Sequence, residues 1–136
     1  MGWFEKKKID SFESVFWRVS GMRGAREYEI ERRGGEAGIT EYAMRCASGG
    51  GMERQPERQA VCPYDQLLEL LNACGVLKWD GFCGKRPAGV LDGQTFTFRA
   101  VVNDGEEIRA NGSENFPKHF REFCDKVNDL LCGENK

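Results

Sequence analysis

Cys83 is the one residue in the sequence whose neighbours suggest catalytic chemistry. It stands next to Gly84, and two basic residues, Lys85 and Arg86, follow. Positive charge beside a cysteine favours the thiolate, which is the nucleophilic form. His119 is the only histidine of the chain and would have to act as the base. A small thiol-dependent enzyme is therefore one hypothesis, although an ordinary loop cysteine accounts for Cys83 more simply.

Two loops carry residues suited to binding. Ser20–Gly24 combines glycines with an arginine, so its amides and side chain suit an anionic group. It lacks the Gly-Lys-Ser/Thr ending of a Walker loop. Trp79–Arg86 adds aromatic rings, an aspartate and two cations, although a well-packed loop explains it without any ligand. The residues expected to contact a small molecule or a protein partner are Arg23, Trp79, Asp80, Lys85 and Arg86.

The six cysteines show no metal or disulfide pattern. No two of them have the spacing of a zinc knuckle, so we expect no metal site and no cofactor. No secretory signal accompanies them, which argues against a disulfide framework. Cys46, Cys74 and Cys124 fall on the apolar faces of expected strands or helices and are interpreted as unpaired core residues.

Three strands are expected before residue 47 to position these loops. Residues 12–20 alternate, with Val15, Trp17 and Val19 on one face. Residues 25–32 alternate most clearly, and their glutamates, Glu27, Glu29 and Glu31, are expected to face water. Residues 39–46 are expected to form the third strand, with Tyr42, Met44 and Cys46 on one face.

Two stretches are expected to lack regular structure. Residues 1–10 are expected to be disordered. Residues 47–60 contain three consecutive glycines followed by mainly polar and charged residues, so a mobile loop is expected there. A helix should then start at Pro63 and end at Gly75, with one apolar stripe. The stripe comprises Tyr64, Leu67, Leu68, Leu71 and Cys74.

The last third of the chain predicts a hairpin and a helix. A three-residue loop over 103–105 pairs Ala100 with Ile108 and Phe98 with Ala110, which places apolar residues on one face of both strands. A type I turn closed by a left-handed Gly105 suits this loop. The final helix is expected to begin near Pro117, with Asn115 as its cap, and to bury a broad apolar stripe. This stripe comprises Phe116, Phe120, Phe123, Cys124, Val127, Leu130 and Leu131.

This part of the chain resembles a group of small bacterial α+β domains. The residues that carry the likeness are Val90-Leu91-Asp92-Gly93 with Phe96, Val102-Asn103-Asp104-Gly105, Gly112-Ser113, Asn115-Phe116-Pro117 and Phe120. The likeness covers about the last third closely and two earlier loops more loosely. It implies an α+β fold and a bacterial source, and it supplies no activity, substrate or catalytic residue.

Composition and charge limit the functional classes to which the chain can belong. The 136 residues suit a single domain, 1–136, and the 20 basic and 22 acidic side chains give a net charge of −2. The chain has no excess of basic residues that would favour binding to nucleic acid. No apolar run is long enough for a membrane span. We expect an α+β fold in the order β-β-β-α-β-β-α, with a mainly antiparallel sheet and both helices on one face. A non-enzymatic cytoplasmic binding domain is the leading hypothesis. The alternatives are the Cys83 enzyme and a self-associating domain that forms a homodimer through a bare sheet face or edge.

Overall fold

Seven strands and two α-helices form the part of the chain that the computed structural model describes, residues 8–21, 24–46, 48–84, 94–113 and 116–133. The strands are β1 (Phe12–Gly21), β2 (Gly24–Arg33), β3 (Glu36–Cys46), β4 (Met52–Pro63), β5 (Cys83–Gly84), β6 (Thr95–Val102) and β7 (Glu106–Ser113). The helices are α1 (Tyr64–Ala73) and α2 (Phe120–Gly133), and a short 3-10 helix spans Val76–Trp79.

All strands belong to one sheet in the order β4-β3-β2-β1-β6-β7-β5. The neighbours are antiparallel except β5 and β7, which run parallel over two residue pairs. The expected α+β class and the mainly antiparallel sheet are thus confirmed. The order of elements differs from expectation by two strands, β4 and β5. Strand β1 lies at the centre of the sheet, with three strands on each side.

The helices both cover one face of this sheet, as expected. The rings of Phe123 on α2 and Trp17 on β1 meet edge to face at a centroid distance of 4.9 Å. Tyr64 at the start of α1 stacks on Phe12 at 4.5 Å, and its hydroxyl donates a 3.0 Å hydrogen bond to the Phe12 carbonyl. Residues from both helices and from six strands share one buried apolar cluster. No helix within the described ranges is long and apolar enough to cross a membrane.

Strand β1 contains a register shift that lets Phe12 and Val15 face the core together, although a regular strand would place them on opposite faces. Phe12 pairs with Val102 and Ser14 with Val101, so Glu13 is an extra residue in the β1 strand. Phe12 and Val15 therefore face the same side although they are three residues apart. Val15 and Trp17 are buried, as their alternation predicts.

Strand β3 faces the core with residues other than those expected. It pairs Ile39 with Ile30 of β2, which buries Ile39 and, two residues later, Glu41. Tyr42 lies on the opposite face of the sheet and is half-buried. Because successive side chains alternate, the pairing with β2 decides which set faces inward.

Strand β4 replaces most of the loop expected over 47–60. It pairs with β3 from Met52 to Pro63, with one register shift next to Glu41 and Tyr42. It is an edge strand, and Pro56 and the extra residue Glu57 interrupt its regular pairing, which is how natural edges avoid adding a further strand. Half of its side chains are charged or carry an amide, because both its outer edge and one of its faces meet water.

The β6–β7 hairpin has the predicted register. Ala100 pairs with Ile108 and Phe98 with Ala110 across a loop of residues 103–105. The turn type differs, since Asn103 and Asp104 both have positive φ, 44° and 62°. Asn103 also binds the amino-terminal segment, because its Oδ1 accepts hydrogen bonds from the amides of Asp10 at 2.7 Å and Ser11 at 3.3 Å. Asparagine and aspartate tolerate left-handed backbone, so this contact is compatible with the turn.

Two expected boundaries, the disordered amino terminus and the start of the last helix, are wrong. Ile9 is fully buried and its backbone is bound by Asn72 of α1, so residues 8–10 hold a defined position rather than being disordered. Helix α2 begins at Phe120 instead of near Pro117. His119 has a φ of 68°, a left-handed conformation that a helix cannot contain. The expected cap Asn115 and residues 1–7 lie outside the described residues.

Candidate functional site

Cys83 and His119, the predicted thiol and base, have separate surroundings. Cys83 is exposed at the start of the short edge strand β5. The His119 Nδ1 lies 2.9 Å from Glu122 Oε1 at the beginning of α2. No hydrogen bond joins the two side chains in the part of the chain that the structure describes. A catalytic pairing of Cys83 with His119 stays a prediction.

Trp79 is a core residue. It is 2% exposed, and its ring packs against Phe98 at 5.0 Å and against Phe123 at 5.7 Å between centroids. Its Nε1 donates a 3.0 Å hydrogen bond to the carbonyl of Lys118, just before α2. This pairing joins the loop after α1 to the beginning of α2, so the indole serves packing and presents almost no surface to a ligand.

Asp80 is exposed, but its carboxylate is used by the sheet. Its Oδ1 accepts a 3.1 Å hydrogen bond from the amide of Arg109, and the Gly81 amide donates to the Arg109 carbonyl at 2.9 Å. The Asn111 amide donates to the carbonyl of Phe82 at 3.0 Å. Residues 80–82 thereby continue the pairing of β5 along the edge of β7.

The remaining predicted contact residues, Arg23, Lys85 and Arg86, lie outside the described residues. The strand ends that lead to them lie at one end of the sheet, because Ser20 pairs with Thr95 and Gly84 pairs with Gly112. Strands β1 and β5 are three spacings apart, or about 14 Å at ~4.8 Å per spacing. A joint binding surface of the two loops stays a prediction.

A larger candidate is the sheet face opposite the helices, which we call the uncovered face. Its outward residues include Phe16 and Arg18 of β1, Glu27, Glu29 and Glu31 of β2, Thr40 and Tyr42 of β3, Arg54 of β4, Thr97 and Arg99 of β6, and Glu107 and Arg109 of β7. No described helix packs on it. Phe16, half-buried on the central strand, lies near its middle.

Charge on the uncovered face is separated by sign on either side of Phe16. Strands β1, β6 and β7 contribute arginines 18, 99 and 109 with a single glutamate, Glu107. Strands β2 to β4 contribute glutamates 27, 29 and 31, with Glu36 at the end of β3, and two arginines, Arg33 and Arg54. The four carboxylates outnumber the two guanidinium groups, so this side of the face carries net negative charge. We call these the basic half and the acidic half. The face is thus dipolar although the whole chain is nearly neutral.

Within the basic half, two arginines share one carboxylate. Arg99 and Arg109 are direct cross-strand partners, an arrangement that is unfavourable for like charges. Glu107 binds both, at 3.0 Å from Arg99 Nη2 and 2.9 Å from Arg109 Nη2. Hydrogen bonds from Arg109 and the positive charge of both arginines lower the pKa of Glu107. One positive charge therefore remains unbalanced at this point of the surface.

The acidic half contains a glutamate that is less exposed than predicted. Glu27 is only 9% exposed, because the Arg54 guanidinium lies across it, with Nη1 3.1 Å from its Oε1. Arg54 also binds Glu29 at 2.6 Å and lies over the ring of Tyr42 at 4.1 Å from the centroid. Glu31 is exposed, as the alternation predicts.

A second polar group, on the helix side of the sheet, was not anticipated. Glu41 is 3% exposed and accepts two hydrogen bonds from Arg58 of β4, at 2.8 and 3.0 Å. Arg58 in turn donates to Asn128 of α2 at 2.7 Å. Arg26 lies 3.7 Å from Glu41 and 2.6 Å from Glu57. The signal in the sequence is an acidic residue between Ile39 and Ala43, at a position that β3 turns to the core.

The described cysteines differ in accessibility, with Cys124 half-buried, and this predicts their alkylation. Cys62 and Cys74 are buried, whereas Cys83 and Cys132 are exposed. Burial raises the pKa of Cys124 to about 12, which leaves little thiolate at neutral pH. Brief iodoacetamide treatment of the native protein should modify Cys83 and Cys132 and spare the other three, as read by peptide mass spectrometry. Equal modification of Cys74 would contradict the described core. Denatured protein, in which every cysteine should react, is the control. Cys46 is left out of this prediction because the structure describes only its backbone.

No protein-family model matches this chain, and no curated protein sequence is similar to it. Among the described residues, no three cysteine, histidine, aspartate or glutamate side chains group closely enough to hold a metal ion.

Proposed function

We propose that this chain is a non-enzymatic cytoplasmic interaction domain that binds a protein surface through its uncovered face. The observation that carries this proposal is the separation of charge on either side of Phe16. A solvated sheet face is stabilised most when opposite charges alternate between neighbouring strands. Here Arg99 stands beside Arg109, and three glutamates follow one another along β2. Such a pattern suits recognition of a surface with complementary charge.

The shape and charge of the face favour a protein over other ligands. Small molecules bind in concave pockets, whereas a sheet face is broad and open. Six long strands at ~4.8 Å spacing and strands of about eight residues give a face of roughly 25 by 25 Å. This extent approaches the ~800 Å² that each partner buries in a standard protein interface. Nucleic acid is not expected, because the acidic half would repel phosphates.

The proposal can be tested by site-specific photo-crosslinking in cells. A photoreactive phenylalanine derivative replaces Thr97, which is exposed within the basic half, and in a matched chain it replaces Gln66, which is exposed on α1. We expect a covalent adduct of defined mass from position 97 and none from position 66. The adduct should disappear in the double variant Arg99→Glu, Arg109→Glu, because the attraction becomes repulsion.

A matched charge control separates this effect from a general change in net charge. Lys118→Glu with Arg121→Glu alters the net charge by the same amount at two exposed positions on the helix side. This variant should keep the adduct from position 97. Adducts that form equally from position 66, or that survive the reversal at 99 and 109, would overturn the proposed function.

A further inference from the structure

Two charged residues of opposite sign flank Phe16 symmetrically on the uncovered face. Phe16 on the central strand pairs with Glu29 on one side and with Arg99 on the other. Strands β2 and β6 are the immediate neighbours of β1, so the two charged residues lie at equal distances from Phe16, in one row across the sheet. A rotation that exchanges the two sides of β1 therefore places Glu29 where Arg99 was.

From this arrangement we infer that the partner is a second copy of the same chain, stacked face to face. The inference rests on the proposed function and names its partner. The two-fold axis would run parallel to β1, between the two sheets and above Phe16. Most soluble oligomers are homo-oligomers, and two-fold dimers are the commonest among them. A two-fold interface requires a self-complementary surface, and this face has one acidic half and one basic half.

Charge selects this axis among the two-fold axes that lie between stacked sheets. An axis parallel to β1 carries the acidic half of one copy over the basic half of the other. An axis across the strands would place each half over its own equivalent, acidic over acidic and basic over basic. Only the first arrangement is attractive.

The same operation predicts specific contacts. Because a row maps onto the same row, Glu29 of the second copy lies opposite Arg99, and the contact occurs twice by symmetry. The two Phe16 rings meet at the axis. Packed sheets are about 10 Å apart and their strands cross at about 30°, which displaces the residues beside the axis least. Side chains of the length of arginine and glutamate span this gap together.

The test is a charge exchange followed by sedimentation velocity at several concentrations. The full chain should be in monomer-dimer equilibrium. Arg99→Glu alone and Glu29→Arg alone should each weaken dimerisation at least tenfold, since like charges then face each other twice. An equimolar mixture of the two variants should dimerise again, because position 99 of one then faces the opposite charge at position 29 of the other, in both contacts. Circular dichroism of each variant verifies its fold.

A second measurement uses the unaltered chain and therefore does not depend on the folding of a variant. Raising the ionic strength from about 0.01 M to about 1 M shortens the Debye length from ~30 to ~3 Å, so the dimer should weaken strongly. A chain that sediments as a monomer at every concentration overturns the inference, as does a mixture that stays monomeric or a dimer insensitive to salt.

The two proposals fail in different ways. If position 97 gives a charge-dependent adduct whose mass differs from that of two chains, and the purified chain is monomeric, the interaction domain stands and the second copy is excluded. If position 97 gives no charge-dependent adduct, the uncovered face is not an interface and both proposals fail.

Discussion

Replacing Phe123 with alanine is expected to lower the free energy of unfolding by about 3–5 kcal/mol. Phe123 is fully buried at the centre of the contact between α2 and the sheet. Its ring lies 4.9 Å from that of Trp17, 5.7 Å from that of Trp79 and 6.1 Å from that of Phe98. Truncation removes its transfer free energy and leaves a cavity between rigid rings that cannot easily close.

Urea denaturation of the variant and of the unaltered chain measures this loss. Phe16→Ala is the matched control, because it removes the same side chain from the uncovered face, where the ring is only half-buried. The control should lose about 1 kcal/mol or less at concentrations where the chain is monomeric. If Phe123→Ala cost no more than Phe16→Ala, helix α2 would not cover the sheet as described.

The surroundings of Phe123 are the part of the fold that the sequence predicts best. Helix α2 and the hairpin before it are local structures, and their apolar residues recur with the period of the element that buries them. Phe98 and Ala100 alternate, and the position of Gly105 fixes the loop length that pairs them correctly. The type of turn cannot be predicted from the local sequence, because Asn103 also binds the backbone of Asp10 and Ser11. These two residues lie about ninety positions earlier in the chain.

Strand β4 shows that a strand can be defined by its pairing partner without any pattern in its own sequence. Neither apolar nor charged residues recur at every second position of its sequence. The glycines before it and Pro56 within it are typical of loops. Its place is decided by pairing with β3 along its whole length, a non-local interaction. An edge strand buries little, so no apolar signal is required of it.

The candidate site is less predictable than the fold for the same reason. The sequence predicts that Trp79 and Asp80 face a ligand, because aromatic and acidic residues in a glycine-rich loop often do. Their actual neighbours, Lys118 and Arg109, are separated from them by 39 and 29 residues. The uncovered face depends on the registers of several strand pairs at once. Each strand predicts its own alternation, but not that Glu29 and Arg99 lie on either side of Phe16.

Glu41→Gln is expected to lower the free energy of unfolding at neutral pH by about 2–4 kcal/mol. Loss of one partner from a buried ion pair costs about 3–5 kcal/mol, and the expected loss is about 1 kcal/mol smaller because Arg58 is 32% exposed and its charge is partly screened by water. Glutamine keeps the shape of the side chain but leaves Arg58 and Arg26 without the charge between them. Arg58 also binds Asn128, so the connection between β3, β4 and α2 should loosen.

The pH dependence of this loss provides the sharper test. Burial raises the pKa of Glu41, but hydrogen bonds from Arg58 and Tyr28 and the nearby arginine charges outweigh it, so its pKa lies below the ordinary 4.5. The folded state therefore prefers the ionised carboxylate. The stabilisation is complete above about pH 5 and is lost as the pH falls through the folded pKa, because the unfolded chain takes up the proton first.

Urea denaturation from about pH 7 down to about pH 3 should therefore show the curves of Glu41→Gln and the unaltered chain converging on the acid side. Glu69→Gln, at an exposed position of α1, is the control and should follow the unaltered chain throughout. A difference that stays constant across this range would mean that folding does not lower the pKa of Glu41, which would contradict the ion pair with Arg58. Convergence would establish that this buried carboxylate is ionised and that its charge connects β3, through Arg58, to helix α2.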